Sequence, residues 1–159
     1  MIKHIVFISL LVITSVANAI SNECYSAIKS KLLSTPPDNT AEKCIENLYD
    51  EISNGDAAAI HDGVSLLKFT DAGYTFSMKI SLAYALPLKP YVVLNELKTD
   101  MDTLQWVCGI PFVEPKEPFV KSYYEKTHAS LILLTHRTDK ETDRLARICL
   151  GELDRVYKL

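Results

Sequence analysis

Residues 74–82, YTFSMKISL, decide between two fold classes for this chain. Apolar Tyr, Phe, Met, Ile and Leu alternate with Thr, Ser, Lys and Ser, which is the period of a half-buried β-strand. A strand needs a neighbouring strand for its backbone N–H and C=O groups, and the sequence contains no second alternating run. The one candidate, residues 91–94 (YVVL), continues into residues 95–98 (NELK) at helical spacing. We therefore predict a helix over residues 74–82 and keep an isolated hairpin as the alternative.

The segments before this stretch have the spacing and the end signals of short helices. A first helix is predicted over residues 21–33. Along residues 41–52, apolar side chains recur at alternating intervals of three and one, the pattern of an amphipathic helix. Gly55 is placed to end that helix, and Asp56 and Asp71 are placed to cap the next two.

The second half of the chain is predicted to be helical as well, with one irregular stretch. Pro90 suits the first turn of a helix over residues 91–98, whereas three prolines in residues 109–118 exclude a continuous helix there. A long helix then starts near Pro118, and a capping box at Thr138 starts the last one. The core stripe of the long helix is predicted to be Val120, Tyr124, Thr127, Leu131 and Leu134.

The predicted fold is all-α, a compact array of seven or eight short helices in antiparallel hairpins, braced by disulfides. The connections between the helices are short, and no low-complexity tract or linker divides them. This organisation favours one domain rather than two.

The first 19 residues have the three parts of a secretory signal. Lys3 gives a basic start, residues 5–16 form a short apolar core, and residues 17–19 (ANA) match a cleavage site. An apolar helix of that length is about 18 Å long, which is too short for a bilayer core of about 30 Å. We predict cleavage after Ala19 and a single helical domain over residues 20–159, without a membrane span. The protein is expected in the periplasm, with full secretion as the second choice.

Four cysteines in an exported chain predict two disulfides. Cys24 and Cys44 lie on the first two helices, whose short connection should make them antiparallel neighbours. Cys108 and Cys149 bracket the long helix, and a hairpin of the last two helices returns Cys149 towards Cys108. We therefore predict the pairs Cys24–Cys44 and Cys108–Cys149. No C-x-x-C motif or paired histidine spacing suggests a metal site, so no metal or cofactor is predicted.

Charge and motifs exclude several classes of function. A formal charge of −3 gives no electrostatic basis for binding nucleic acid. The sequence has no phosphate-binding glycine loop, serine elbow or zinc-protease motif, so no catalytic residue is predicted. His61 beside Asp62, and His128 one turn after Tyr124, are interpreted as boundary histidines that bond to a neighbour. The alternative is a small envelope enzyme that uses one of these histidines with a carboxylate.

Residues 106–115, WVCGIPFVEP, are the most specific local signal for binding. This apolar stretch is interrupted by prolines and tied near its start by Cys108. One interpretation is a rigid connector held against the last helix. The other is a pre-shaped surface that enters a partner's cleft, and the two are compatible. On the second interpretation Trp106, Ile110 and Phe112 are the binding residues, and the Trp and Phe among them belong to the types that make efficient contacts.

The motif CGIPFVEP at residues 108–115, the long helix after it, and RICL at residues 147–150 resemble small exported helical proteins of Gram-negative bacteria. Some proteins of this kind are periplasmic immunity proteins that block cell-wall-hydrolysing effectors of type VI secretion. The resemblance implies a non-enzymatic protein that binds a protein partner in the envelope, as an inhibitor or immunity factor. A structural component of the envelope is the remaining alternative.

Overall fold

The computed structural model of the protein describes residues 22–33, 39–135 and 139–158. The predicted signal peptide, residues 1–19, lies outside these ranges. The described part of the chain contains eight α-helices and no β-strand, so the predicted all-α fold class is confirmed. A short 3₁₀ turn follows the third helix. The helices are α1 (Asn22–Leu33), α2 (Asn39–Ser53), α3 (Ala57–Leu66), α4 (Ala72–Ala85), α5 (Pro90–Glu96), α6 (Met101–Cys108), α7 (Glu117–Leu134) and α8 (Lys140–Tyr157).

Helix α4 contains the stretch that alternates like a strand, so the helical prediction is confirmed. It begins after Asp71, whose carboxylate accepts hydrogen bonds from the N–H groups of Gly73 (3.0 Å) and Tyr74 (3.1 Å). The helix packs against both α2 and α6. Because two neighbours cover it, apolar residues are needed on more than one of its sides, and this obscures the helical period. Its buried residues are Met78, Ser81, Leu82, Ala83 and Ala85.

The turn between α2 and α3 has the predicted end signals. Gly55 has φ 80°, a left-handed conformation that glycine adopts without steric cost. Its N–H donates to the carbonyl of Ile52 (2.8 Å), and the N–H of Asp56 donates to the carbonyl of Glu51 (3.0 Å). The Asp56 carboxylate then accepts from the N–H of Ala59 (2.9 Å) in the first turn of α3. These bonds end one helix and start the next within three residues.

The start of α8 differs by one residue from the predicted capping box. Thr138 lies outside the described residues, and the N-cap is Asp139. Its carboxylate accepts from the N–H groups of Glu141 and Thr142, both at 3.0 Å. The bonds from Thr142, and then that from Glu141, favour the ionised form and hold the pKa of Asp139 below its ordinary value. One aspartate side chain thus satisfies two N–H groups at the exposed end of the helix.

A single hydrophobic core contains buried residues from all eight helices. Helix α7 contributes Tyr123, Thr127 and Leu131, at successive intervals of four. Of the predicted stripe, Thr127 and Leu131 are buried, and Tyr124 and Leu134 are half-buried and pack against the core. Val120 is half-buried. The Tyr124 hydroxyl donates to Asp154 Oδ1 (2.8 Å). Residues four apart share one face of a helix, and both tyrosines fit the apolar pattern of the sequence.

The two disulfides have the predicted pairing. Cys24–Cys44 links α1 to α2 with Cα atoms 5.5 Å apart, and Cys108–Cys149 links the end of α6 to α8 with Cα atoms 5.0 Å apart. Helices α7 and α8 pack against each other, which brings Cys149 back to Cys108. Disulfides are typical of exported proteins, and both bonds are compatible with the predicted export.

Within the described ranges, no helix has the combination of length and hydrophobicity needed to span a membrane.

Gly63 lies where α3 meets α2 and α4, and we expect this contact to tolerate no side chain at that position. A Cβ atom there would lie 2.5 Å from Ile52 Cδ1 and 2.8 Å from Met78 Sδ, and both side chains are buried. Gly63→Ala should therefore lower the free energy of unfolding by about 1–3 kcal/mol.

The control is Gly151→Ala in α8, where a Cβ atom would have no neighbour within 4 Å. Alanine has a higher helix propensity than glycine, so the free energy of unfolding of this variant should rise by about 0.5–1 kcal/mol. Urea denaturation of both variants measures the difference. Equal stability of the two variants would contradict the close approach at Gly63.

Candidate functional site

The loop between α6 and α7 comprises residues 109–116, and several features restrict its conformation. At its start Cys108 is bonded to α8, and Pro111 and Pro115 restrict its φ angles. Glu114 has φ 45°, a left-handed conformation that costs a non-glycine residue about 1–2 kcal/mol. Residues in such conformations persist where the surrounding structure enforces them, and they cluster at functional sites. The loop is therefore the first candidate for a functional site.

Phe112 attaches this loop to α4 and α7 through a cluster of four aromatic rings. We call Tyr84, Phe112, Phe119 and Tyr123 the four-ring cluster. The ring centroid of Phe112 lies 4.7 Å from that of Tyr84 and 4.9 Å from those of Phe119 and Tyr123. The Tyr123 hydroxyl donates to the carbonyl of Ala83 (3.1 Å), and burial raises the pKa of Tyr123. Phe112 is half-buried, so it serves first as a packing residue.

Of the other two predicted binding residues, Trp106 lies beside α4 and Ile110 packs against the core. Trp106, in the last turn of α6, meets Phe76 edge-on at 5.6 Å, and Lys79 Nζ lies 5.7 Å from the Trp106 ring. Phe76 is about 12 Å along α4 from Tyr84. Ile110 is half-buried and packs against the core. All three predicted residues thus contribute to packing, and their role in binding stays a prediction.

Exposed apolar side chains lie on the loop, on α4 and the turn after it, and on α7; of these, Val113 belongs to the stretch 106–115 that the sequence singled out, and Leu88, Tyr84 and Phe119 do not. Val113 is 71% exposed, Leu88 56%, Tyr84 40% and Phe119 37%. Tyr84, Leu88 and Phe119 line one groove, and neighbouring exposed apolar groups of this kind indicate an interaction surface. Phe119 lies four residues before Tyr123, and this helical spacing is the one signal that marks it. Helix α4 is apolar on several sides, so nothing in its sequence distinguishes Tyr84.

Three rings of the four-ring cluster, those of Tyr84, Phe119 and Tyr123, form one wall of a groove of about 250 Å³, which we call the cluster groove. Its other walls come from the end of α2, from the turn after α4, and from one face of α7. The lining includes Ser53, Tyr84, Leu88, Phe119, Ser122 and Lys126. A mainly apolar lining with a few polar groups suits an apolar ligand group that has a polar neighbour.

No family model, curated protein or solved structure matches this chain. Its function must therefore be inferred from the chemistry of its own residues. In the part of the chain that the structure describes, no group of three or more His, Cys, Asp or Glu side chains is placed to hold a metal ion. All four cysteines are in disulfides, which leaves no thiol as a nucleophile.

The histidines of the described ranges have identifiable neighbours. His61 Nδ1 lies 3.0 Å from Oε2 of Glu96, so this pair joins α3 to α5. The sequence suggested Asp62 rather than Glu96 as the nearby acid. The side chain of His61 is 64% exposed, and an imidazole held by a carboxylate at one nitrogen can exchange a proton at the other. His128 shares a face with Tyr124 as predicted, with ring centroids 5.5 Å apart.

Proposed function

We propose that the protein is an exported, non-enzymatic binding protein of the periplasm that acts as an inhibitor or immunity factor against a hydrolase of the envelope. One observation carries the proposal: Val113 is 71% exposed on a loop that is held by a disulfide, by prolines and by the four-ring cluster. An apolar side chain on a rigid loop supports insertion into a partner's cleft.

The rigidity of the loop supports tight association. Binding costs conformational entropy for each loop and side chain that becomes ordered in the complex. The loop is attached at Cys108 and at Phe112 before any partner arrives, so it has little freedom left to lose. The aromatic rings around it belong to the residue types that are enriched in binding hot spots.

The location in the envelope is supported by two kinds of observation. Disulfides are typical of proteins in oxidising compartments, and residues 1–19 have the pattern of a signal peptide. The periplasm is the first choice and secretion the second. An inhibitor of an envelope hydrolase acts in the same compartment as its target.

Site-specific photo-crosslinking in intact cells tests the proposal. A photoreactive phenylalanine analogue replaces Val113 in the full chain, and a control chain carries it at Lys43, an exposed position of α2. We expect one envelope protein to be captured from position 113 and not from position 43. The purified pair should form a stoichiometric complex in which the partner's hydrolase activity is blocked. Equal capture from both positions, or none from position 113, would contradict the proposal.

A second candidate function is a small envelope enzyme built on the His61–Glu96 pair. The 3.0 Å contact favours it, since an imidazole oriented by a carboxylate is a common general base. If this alternative is right, the wild-type protein releases dye from labelled peptidoglycan and His61→Gln does not. The binding proposal predicts no release by either protein.

A further inference from the structure

The cluster groove has one charged side chain in its lining, the ammonium group of Lys126. Among the described residues, the ion pairs do not include Lys126. Lys89 follows the lining residue Leu88 in the sequence, and its side chain packs against Gly55. The groove is therefore apolar with a positive edge, on a chain whose net charge is −3.

Helical register keeps the carboxylates of α7 away from this groove. At about 100° per residue, Lys126 lies about 20° around the helix axis from Phe119, on the groove side. Glu117 and Glu125 lie about 160° and 120° from Phe119, on other sides of the helix. Glu125 also faces Lys121, with Nζ and Oε1 4.0 Å apart. The charge that α7 presents to the groove is thus a single positive one.

We propose that the cluster groove binds an apolar side chain of a protein partner that carries a carboxylate beside it. This inference rests on the proposed function, since it takes the partner to be a protein, and it adds the chemistry of the partner's surface. The groove volume of about 250 Å³ is below the roughly 300–1,000 Å³ of pockets that hold whole small molecules. It suits one inserted side chain, with Lys126 pairing the adjacent carboxylate.

Charge disfavours a second copy of this chain as the occupant. In a two-fold symmetric dimer both copies contribute the same surface to the interface, so an interface made by this groove would contain the ammonium groups of both copies of Lys126. Like charges that face each other oppose association. A partner with the opposite charge has no such penalty.

A membrane surface also fits the groove poorly. Peripheral membrane binding depends on protruding apolar residues and on several cations close to the lipid. The cluster groove is concave, and the one cation among its lining residues is Lys126. A peptide segment of a protein fills a concave site of this size more completely than a lipid surface does.

A library of short random peptides displayed on phage, selected against the exported protein with both disulfides intact, tests the inference. We expect the enriched peptides to contain an aromatic or aliphatic residue next to Asp or Glu. A labelled synthetic peptide of the enriched sequence is then titrated by fluorescence anisotropy. Lys126→Glu should weaken binding by about tenfold or more. The control Lys121→Glu, on the far side of α7, should change binding by less than about twofold.

Several results would overturn the inference. The first is that no peptide is enriched, and the second is that the enriched peptides lack a carboxylate. The third is that the peptide binds Lys126→Glu and Lys121→Glu with equal affinity. Dimerisation in analytical ultracentrifugation that Lys126→Glu alters would assign the groove to a second copy. Cosedimentation with phosphatidylethanolamine–phosphatidylglycerol vesicles that Lys126→Glu abolishes would assign it to the membrane. If a partner crosslinks at position 113 and binds both lysine variants equally, the proposed function stands and this inference fails.

Discussion

Replacing Cys108 and Cys149 together by alanine is expected to lower the free energy of unfolding by about 4 kcal/mol. Both side chains are fully buried, and their bond closes a loop with a sequence separation of 41. A disulfide stabilises a protein largely by restricting its unfolded chain, and longer loops give larger effects. Since domains of this size have about 5–15 kcal/mol of stability in total, the expected loss is a large share of it.

The matched control for this variant is the simultaneous replacement of Cys24 and Cys44 by alanine. Their sequence separation is 20, so the expected loss is about 3 kcal/mol. Urea denaturation followed by far-UV circular dichroism measures both variants. A protein without Cys108 and Cys149 that is as stable as the wild type would show that this bond does not hold the loop and the last helix together.

Phe112→Ala is expected to destabilise the protein by about 2–4 kcal/mol, because it removes the ring that connects the four-ring cluster. The variant loses ring contacts to Tyr84, Phe119 and Tyr123, and aromatic pairs contribute about 0.5–1.5 kcal/mol each beyond their buried area. The loop would also lose its attachment to α4 and α7. We therefore expect partner binding to weaken as well, by about 1–3 kcal/mol.

Val113→Ala is the matched control for Phe112→Ala. The two residues are adjacent, but Val113 is 71% exposed, so its truncation should change stability by no more than about 0.5 kcal/mol. Thermal unfolding of the two variants side by side measures the difference. If both variants melt together, the four-ring cluster does not fix the loop. Lower stability of Phe112→Ala with unchanged partner binding would give the loop a purely structural role.

The ends of several helices could be predicted from the sequence because their signals are local. Asp56 and Asp71 accept hydrogen bonds from N–H groups two or three residues further on. Gly55 supplies a conformation that other residues avoid. The disulfide pairing could be predicted for a related reason, since short connections make the bonded helices neighbours. The helix over residues 74–82 could be predicted only by considering the whole sequence, which offers no second strand to pair with this stretch.

The four-ring cluster and the cluster groove could not be predicted, because they depend on contacts between distant segments. Tyr84 and Phe112 come from different elements, and no local pattern places them together. The predicted stripe of α7 contains Tyr124 and leaves out Tyr123, which is the more deeply buried of the two. Its burial depends on contacts with distant segments, such as its hydrogen bond to the carbonyl of Ala83. Exposure of Val113 depends on the fold of the loop rather than on its apolar composition.

Calorimetric titration of the crosslinked partner, once purified, tests most directly whether this loop binds a protein. The partner is titrated with the wild-type protein and with Val113→Glu. This substitution places a charge at a position that is 71% exposed, so the fold should keep its melting temperature. Burying that charge in a complex is costly, and we expect binding to be at least about tenfold weaker. Equal affinity of the two proteins for the partner would contradict the proposed role of the loop.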